Sequence, residues 1–141
     1  MDGHEFVRIL KHEAVDEAVR ITLQKLTSPQ LPQPLPESDD LIEKGIAEFF
    51  NQGAVAQQRK AAWFRGLGDD QQATLEEILS ECTELSALSV CALLDGVGGP
   101  YEGTFELQAV DAQGRKTRVN PENSEMLHDL LSDVCEQDRR K

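Results

Sequence analysis

Basic residues are what this sequence has least of where it matters most: from Gly66 to Gly114 there is no lysine or arginine, against ten acidic residues. A polyanion is repelled by such a surface, which argues against direct nucleic-acid or anionic-membrane binding. Long hydrophobic runs are missing too, and nothing approaches the roughly 18 apolar residues a membrane-spanning helix needs. The start, Met1-Asp2-Gly3-His4-Glu5, is acidic and lacks the basic, apolar and small-residue order of a secretory leader, so a cytoplasmic location is expected. Cysteine is scarce: Cys82, Cys91 and Cys135 form no CxxC pair, and an odd count is a poor disulfide framework. Each is expected within a helix among apolar neighbours, as a small buried hydrophobe.

What remains is an ordinary globular composition with an unusual charge. The 141 residues are 39% hydrophobic and 28% charged. A chain of this size can bury a core without disulfides or metal, and a single domain over residues 1–141 is expected. The 26 acidic and 14 basic residues give a net charge of −12. Most of it is local: residues 1–68 carry −2 and residues 69–141 carry −10. A basic partner is attracted by such a surface, and its encounter rate is raised.

Periodicity predicts a mainly helical α+β fold with about five helices and one β-hairpin before the last. Phe6, Leu10, Ala14, Ala18, Ile21 and Leu26 mark the first helix. A connector follows at 27–37, with four of the six prolines, where no helix or central strand survives. Its Pro29-x-x-Pro32 spacing fits an ordered strap better than an SH3-type ligand. Ser38 is placed to cap a second helix with the apolar stripe Leu41, Ile42, Ile46, Phe49 and Phe50, which Gly53 should end or kink. A short helix through Val55 and Trp63 should stop near Gly66 and Gly68. Asp69 and Gln72 resemble a capping box opening the longest apolar pattern, Leu75 to Ala92. On that helix Asp70, Glu77, Glu81 and Glu84 share one face with nothing basic nearby in sequence, the candidate partner-binding ridge.

The run from Asp95 to Pro100 breaks the helix. Alternation from Phe105 to Ala109 and a return strand at Arg115–Val119 then place a hairpin at about 103–119, with Asp111 and Gly114 ending its turn. Asn120-Pro121 reads as cap and first residue of a final helix that turns Met126, Leu127, Leu130, Leu131 and Val134 inward.

Catalytic motifs mostly fail. Gly96-Val97-Gly98-Gly99 follows a helix and precedes a strand, the reverse of a dinucleotide loop, and Tyr101 stands where the third glycine belongs. His12-Glu13-Ala14-Val15-Asp16 is one residue from HExxH but lacks its second imidazole, and Glu125-x-x-His128 is half of a di-iron set. No cofactor or metal is implied. His128 and Asp129, with Asp95, are kept as a structural or possible site.

Leu94-Asp95-Gly96-Val97, Gly103-x-Phe105-x-Leu107 and Leu127-His128-Asp129-Leu130-Leu131 together resemble a pattern in short bacterial proteins of unassigned activity. The resemblance covers about the last 40 residues and implies a bacterial origin and a shared helix–hairpin–helix ending. Asp95 would then serve by accepting hydrogen bonds from the glycine loop or from His128. Three functional expectations follow. The first is a non-enzymatic acidic interaction module, such as an immunity or inhibitor protein, that covers a basic toxin or effector. The second is a small enzyme or metal-binding protein using His128, Glu125 and Asp129. The third is a homodimeric scaffold pairing through the apolar Leu85–Leu94 stretch.

Overall fold

A computed structural model describes residues 1–28, 30, 32–36, 39–97, 105–121 and 123–140. The helices are α1 (Gly3–Leu10), α2 (Glu17–Thr27), α3 (Leu41–Arg65), α4 (Asp69–Leu94) and α5 (Leu127–Arg139), and a hairpin of β1 (Gln108–Val110) and β2 (Lys116–Arg118) precedes α5. The mainly helical α+β architecture with its hairpin before the final helix is therefore the one the periodicity predicts. Two compact units are formed, one from residues 1–19 with 78–141 and the other from residues 20–77.

In the first unit, Asp2 caps α1 by accepting from the Glu5 amide at 2.8 Å. The helix does not stop at Leu10 but widens into a π-helical turn, Lys11–Asp16, before α2. Hydrogen bonds five residues apart bring side chains at i and i+5 nearly into line, where an α-helix would splay them. Val7 and Val15 stay on the core side throughout and join Ala87, Cys91, Val119, Leu127, Leu130, Leu131 and Cys135 in one buried cluster. Leu107 and Ala109 pack against it from the hairpin, which supplies the apolar backing a two-stranded sheet needs.

Helix α4 ends in a Schellman motif. The Val97 amide donates to the Ala92 carbonyl and the Gly96 amide to the Leu93 carbonyl, with Gly96 at φ +76°. The hairpin pairs antiparallel with Ala109 opposite Thr117, and its turn closes with Gly114 at φ +77°. Asp111 organises that turn by accepting from the Gln113 and Arg115 amides. Asn120 is not the cap of the last helix. Its side chain accepts from the Leu107 amide and donates to the carbonyls of Phe105 and Leu94, tying the hairpin base to the end of α4. Because Asn120 is engaged there, α5 starts seven residues later, at Leu127.

In the second unit α3 runs unbroken through Gly53, which corrects the expected break there and merges two of the predicted helices. A mid-helix glycine costs about 1 kcal/mol relative to alanine but does not forbid the helix, and alanine, valine and glutamine continue it. Its cap is Asp40, which accepts from the Ile42 and Glu43 amides; Ser38, the expected cap, lies outside the described residues. The strap at 32–36 is held by the Asn51 amide, which pairs with both backbone groups of Leu35, and by Gln58 donating to the Pro32 carbonyl. The next helix is capped one residue earlier than expected: the Gly68 amide donates to Gln71, while Gln72 reaches back to the Phe64 and Leu67 carbonyls. The burial of α3 is inverted. Ala47, Ala54 and Ala61 are buried, and the stripe of Leu41, Ile42, Ile46, Phe49 and Phe50 stands in solvent.

Candidate functional site

On α4, Asp70, Glu77 and Glu81 are exposed, and among the described residues none of them makes an ion pair. Glu84 departs from that row. It is only 8% exposed, because Lys11 and Arg139 arrive from distant parts of the sequence to meet it. Its Oε1 lies 3.9 Å from the Lys11 ammonium, and its Oε2 accepts from the Arg139 guanidinium. Glu84 is thus a buried structural counter-ion, and the expected four-residue ridge is reduced to three carboxylates.

Lys11 is the other buried charge, 7% exposed, and it also donates to Asp16 across the π-helical turn. Burial alone pulls the Lys11 ammonium down, but the hydrogen bond and charge of Asp16, helped by Glu84, outweigh it and hold the pKa above the ordinary lysine value. The neighbouring Cys135 thiol is pushed up by burial and by the Glu84 charge. Sequence reading gives Lys11 no role and reads Arg139 only as a cation at the C-terminal end of the last helix, not as a partner of Glu84. Arg139 is 55 residues from Glu84, and no local spacing carries such a pairing.

The second polar centre joins Asp95 to His128. One carboxylate oxygen of Asp95, Oδ2, accepts from the His128 backbone amide at 3.0 Å and pairs with its Nδ1 at 2.8 Å. The Asp95 side chain is 5% exposed. Met126, the residue in the capping position of α5, offers no side-chain oxygen, so Asp95 caps that helix from another element. On the far side of the ring, Nε2 lies 3.5 Å from Asp129 Oδ1, and Glu125 is exposed.

The HExxH-like stretch is divided by its own helix. His12 pairs with Glu13 at 3.0 Å in solvent, while Asp16 turns to Lys11. Among the described residues no group of three or more His, Cys, Asp or Glu side chains is placed to hold a metal ion. The cysteines are free: Cys91 and Cys135 are buried as expected, but Cys82 is exposed on α4. Burial, with the Asp95 charge, raises the Cys91 thiol to about 11, the reverse of what a nucleophile needs. Two grooves flank α3, one of about 780 Å³ beside Lys44, Asn51 and Arg59 and one of about 660 Å³ between the strap and Phe49–Phe50. Gly98, Gly99 and Tyr101 of the glycine loop, and Pro29 of the strap, lie outside the described residues. No described helix is long and apolar enough to cross a membrane.

No family model, no curated protein and no solved structure matches this chain.

Proposed function

We propose that this protein acts by binding another protein rather than by catalysis: an acidic interaction module of the cytoplasm, with a basic partner. Its most specific form is a bacterial immunity or inhibitor protein that covers the cationic cleft of a toxin or effector. The observation that carries the reading is the row of Asp70, Glu77 and Glu81, exposed on α4 and unpaired among the described residues, within a stretch of sequence that has no base. Exposed carboxylates outside any ion pair attract a basic surface at long range and raise the association rate. Glu84, already neutralised by two cations, contributes nothing to that attraction.

The test is capture of partners from a lysate of the source organism at about 50 mM and about 500 mM salt, which bracket the screening length of surface charges. A stoichiometric basic protein is expected at low salt, with weaker retention at high salt. The variant carrying Asp70→Lys, Glu77→Lys and Glu81→Lys, checked for unchanged helix content, should lose that protein. Retention indifferent to both salt and charge reversal sinks the reading.

A further inference from the structure

We propose that the outward side of α4, between Ile78 and Leu93, receives a basic amphipathic helix of a partner protein. This rests on the acidic-module reading above and adds what the partner's contacting segment must be. Helix α4 turns Glu84, Ala87 and Cys91 to the core. On its other side lie two rows of residues four apart. Ile78, Cys82, Ser86 and Val90 form one, Glu81, Leu85, Ser89 and Leu93 form the next, and all eight are exposed. Leu85 is 63% exposed and Val90 52%. Rows of this spacing are the ridges of a helix surface, and they seat in the grooves of a second helix crossing at about −50°. Two adjacent ridges, open over about four turns, leave the groove between them free for such a helix.

The polar atoms on this side make little demand on water. Ser86 Oγ donates to the Cys82 carbonyl at 2.7 Å and Ser89 Oγ to the Leu85 carbonyl at 2.8 Å, so both hydroxyls are engaged by the helix's own backbone. From Leu85 to Leu94 the sequence has no charged residue. An occupant therefore covers the ridges beyond Glu81 without stranding a charge or a hydroxyl donor.

The carboxylates select what the groove receives. Glu81, and Glu77 one turn before it, stand exposed at the start of the second ridge, and α4 contains no lysine or arginine. Arg139, whose charge reaches Glu81, is already held by Glu84. A second copy docking through its own α4 brings the same base-free helix and leaves the carboxylates unpaired, and an anionic lipid surface is repelled. A helix that seats apolar residues over Leu85, Val90 and Leu93, and carries lysine or arginine about one turn away towards Glu81, satisfies both halves of the surface.

The test uses the full chain and a fluorescent peptide of about 18 residues, with leucines at helical spacing, lysines beside them and alanine elsewhere. Anisotropy at about 50 mM salt should give a Kd of about 10–100 μM, rising severalfold at about 500 mM. Leu85→Asp and Val90→Asp, checked for unchanged helix content, should each weaken binding by about tenfold or more. Glu81→Lys should weaken it by about threefold and flatten its salt dependence. Phe49→Asp, on the exposed row of α3, should leave it unchanged. A peptide of the same composition in scrambled order should bind about tenfold more weakly, and one with glutamate for lysine should not bind. Equal binding of the scrambled peptide, untouched by Leu85→Asp but lost in Glu81→Lys, overturns the helix docking and leaves the acidic-module reading in place. Binding of the helical peptide that is lost in Leu85→Asp but indifferent to salt and to Glu81→Lys overturns the basic character of the partner, and that reading with it. No binding of the helical peptide up to about 500 μM overturns the proposal, as does a dimer in sedimentation equilibrium that Leu85→Asp dissociates.

Discussion

Glu84 sits between two cations brought from the opposite ends of the chain, and the energetics of such a site are asymmetric. Two charges taken out of water are repaid only while both are present, so removing one partner costs more than removing the pair. Glu84→Ala leaves the Lys11 ammonium buried with Asp16 alone and is expected to lower unfolding stability by about 2–3 kcal/mol in urea titrations. Lys11→Met with Glu84→Leu, which replaces buried charge with apolar volume, should stay within about 1 kcal/mol of the parent. The buried thiols make a second prediction. Cys91, held at about 11, and Cys135 are both raised by burial, so each favours the folded state fully below the pKa of the unfolded thiol. That contribution is lost as pH rises from about 8.5 through the folded values, and Lys11 adds a loss in the same direction above about 10.5. The urea midpoint should be flat from about pH 6 to 8 and fall above about 9. At neutral pH iodoacetamide should label Cys82 alone, which intact-mass spectra would read as a single adduct on the native protein.

Among the elements, α5 begins where Asp95 lets it. The Asp95 carboxylate substitutes for the missing cap at Met126, so Asp95→Ala should cost about 1–2 kcal/mol, with exchange protection lost first at the amides of residues 127–130. Asp95→Asn keeps an acceptor oxygen and should cost less. The C-terminal end of α4 and the turn at Asp111–Gly114 were legible in the sequence because a positive φ there almost demands glycine, at Gly96 and Gly114. The start of α5 was not, since Asn120 looks like a local cap and its real partners, Leu94 and Phe105, are remote. Periodicity likewise found the stripe on α3 but not that it stands in solvent. Apolar residues recurring at helical spacing say that a helix has an apolar side, not that this chain supplies what covers it. The four-carboxylate face of α4 was three-quarters legible, and only Glu84 was misplaced, by cations its neighbours in sequence do not reveal. Gly53→Ala offers a check at this scale. A Cβ there meets nothing within 4 Å, so the substitution should stabilise α3 by about 0.5–1 kcal/mol in thermal melts.

At the scale of the whole molecule, the exposed apolar row of α3 and the excess of acid fall in different parts of the sequence, although α4 also exposes Leu85 and Val90 beside its carboxylates. The apolar row on α3 lies in a segment without net charge, and the excess of acid lies from residue 69 onward. A surface that attracts cations and a surface that excludes water respond to salt in opposite directions. High salt screens the first and leaves the second intact or strengthens it. One further consequence comes from the way the first unit is assembled. Its buried cluster takes Val7 and Val15 from the beginning of the chain and Leu127, Leu130 and Leu131 from beyond the hairpin, while residues 20–77 form a unit that is continuous in sequence. During synthesis, then, the middle of the chain has all its own contacts first, and the opening helix emerges from the ribosome with its apolar side bare. It must wait through more than 100 residues of translation for the segment that shelters it. Chaperone engagement on nascent chains should accordingly persist until residues 127–135 are exposed, and a stop codon placed at residue 120 should send the product to proteolysis.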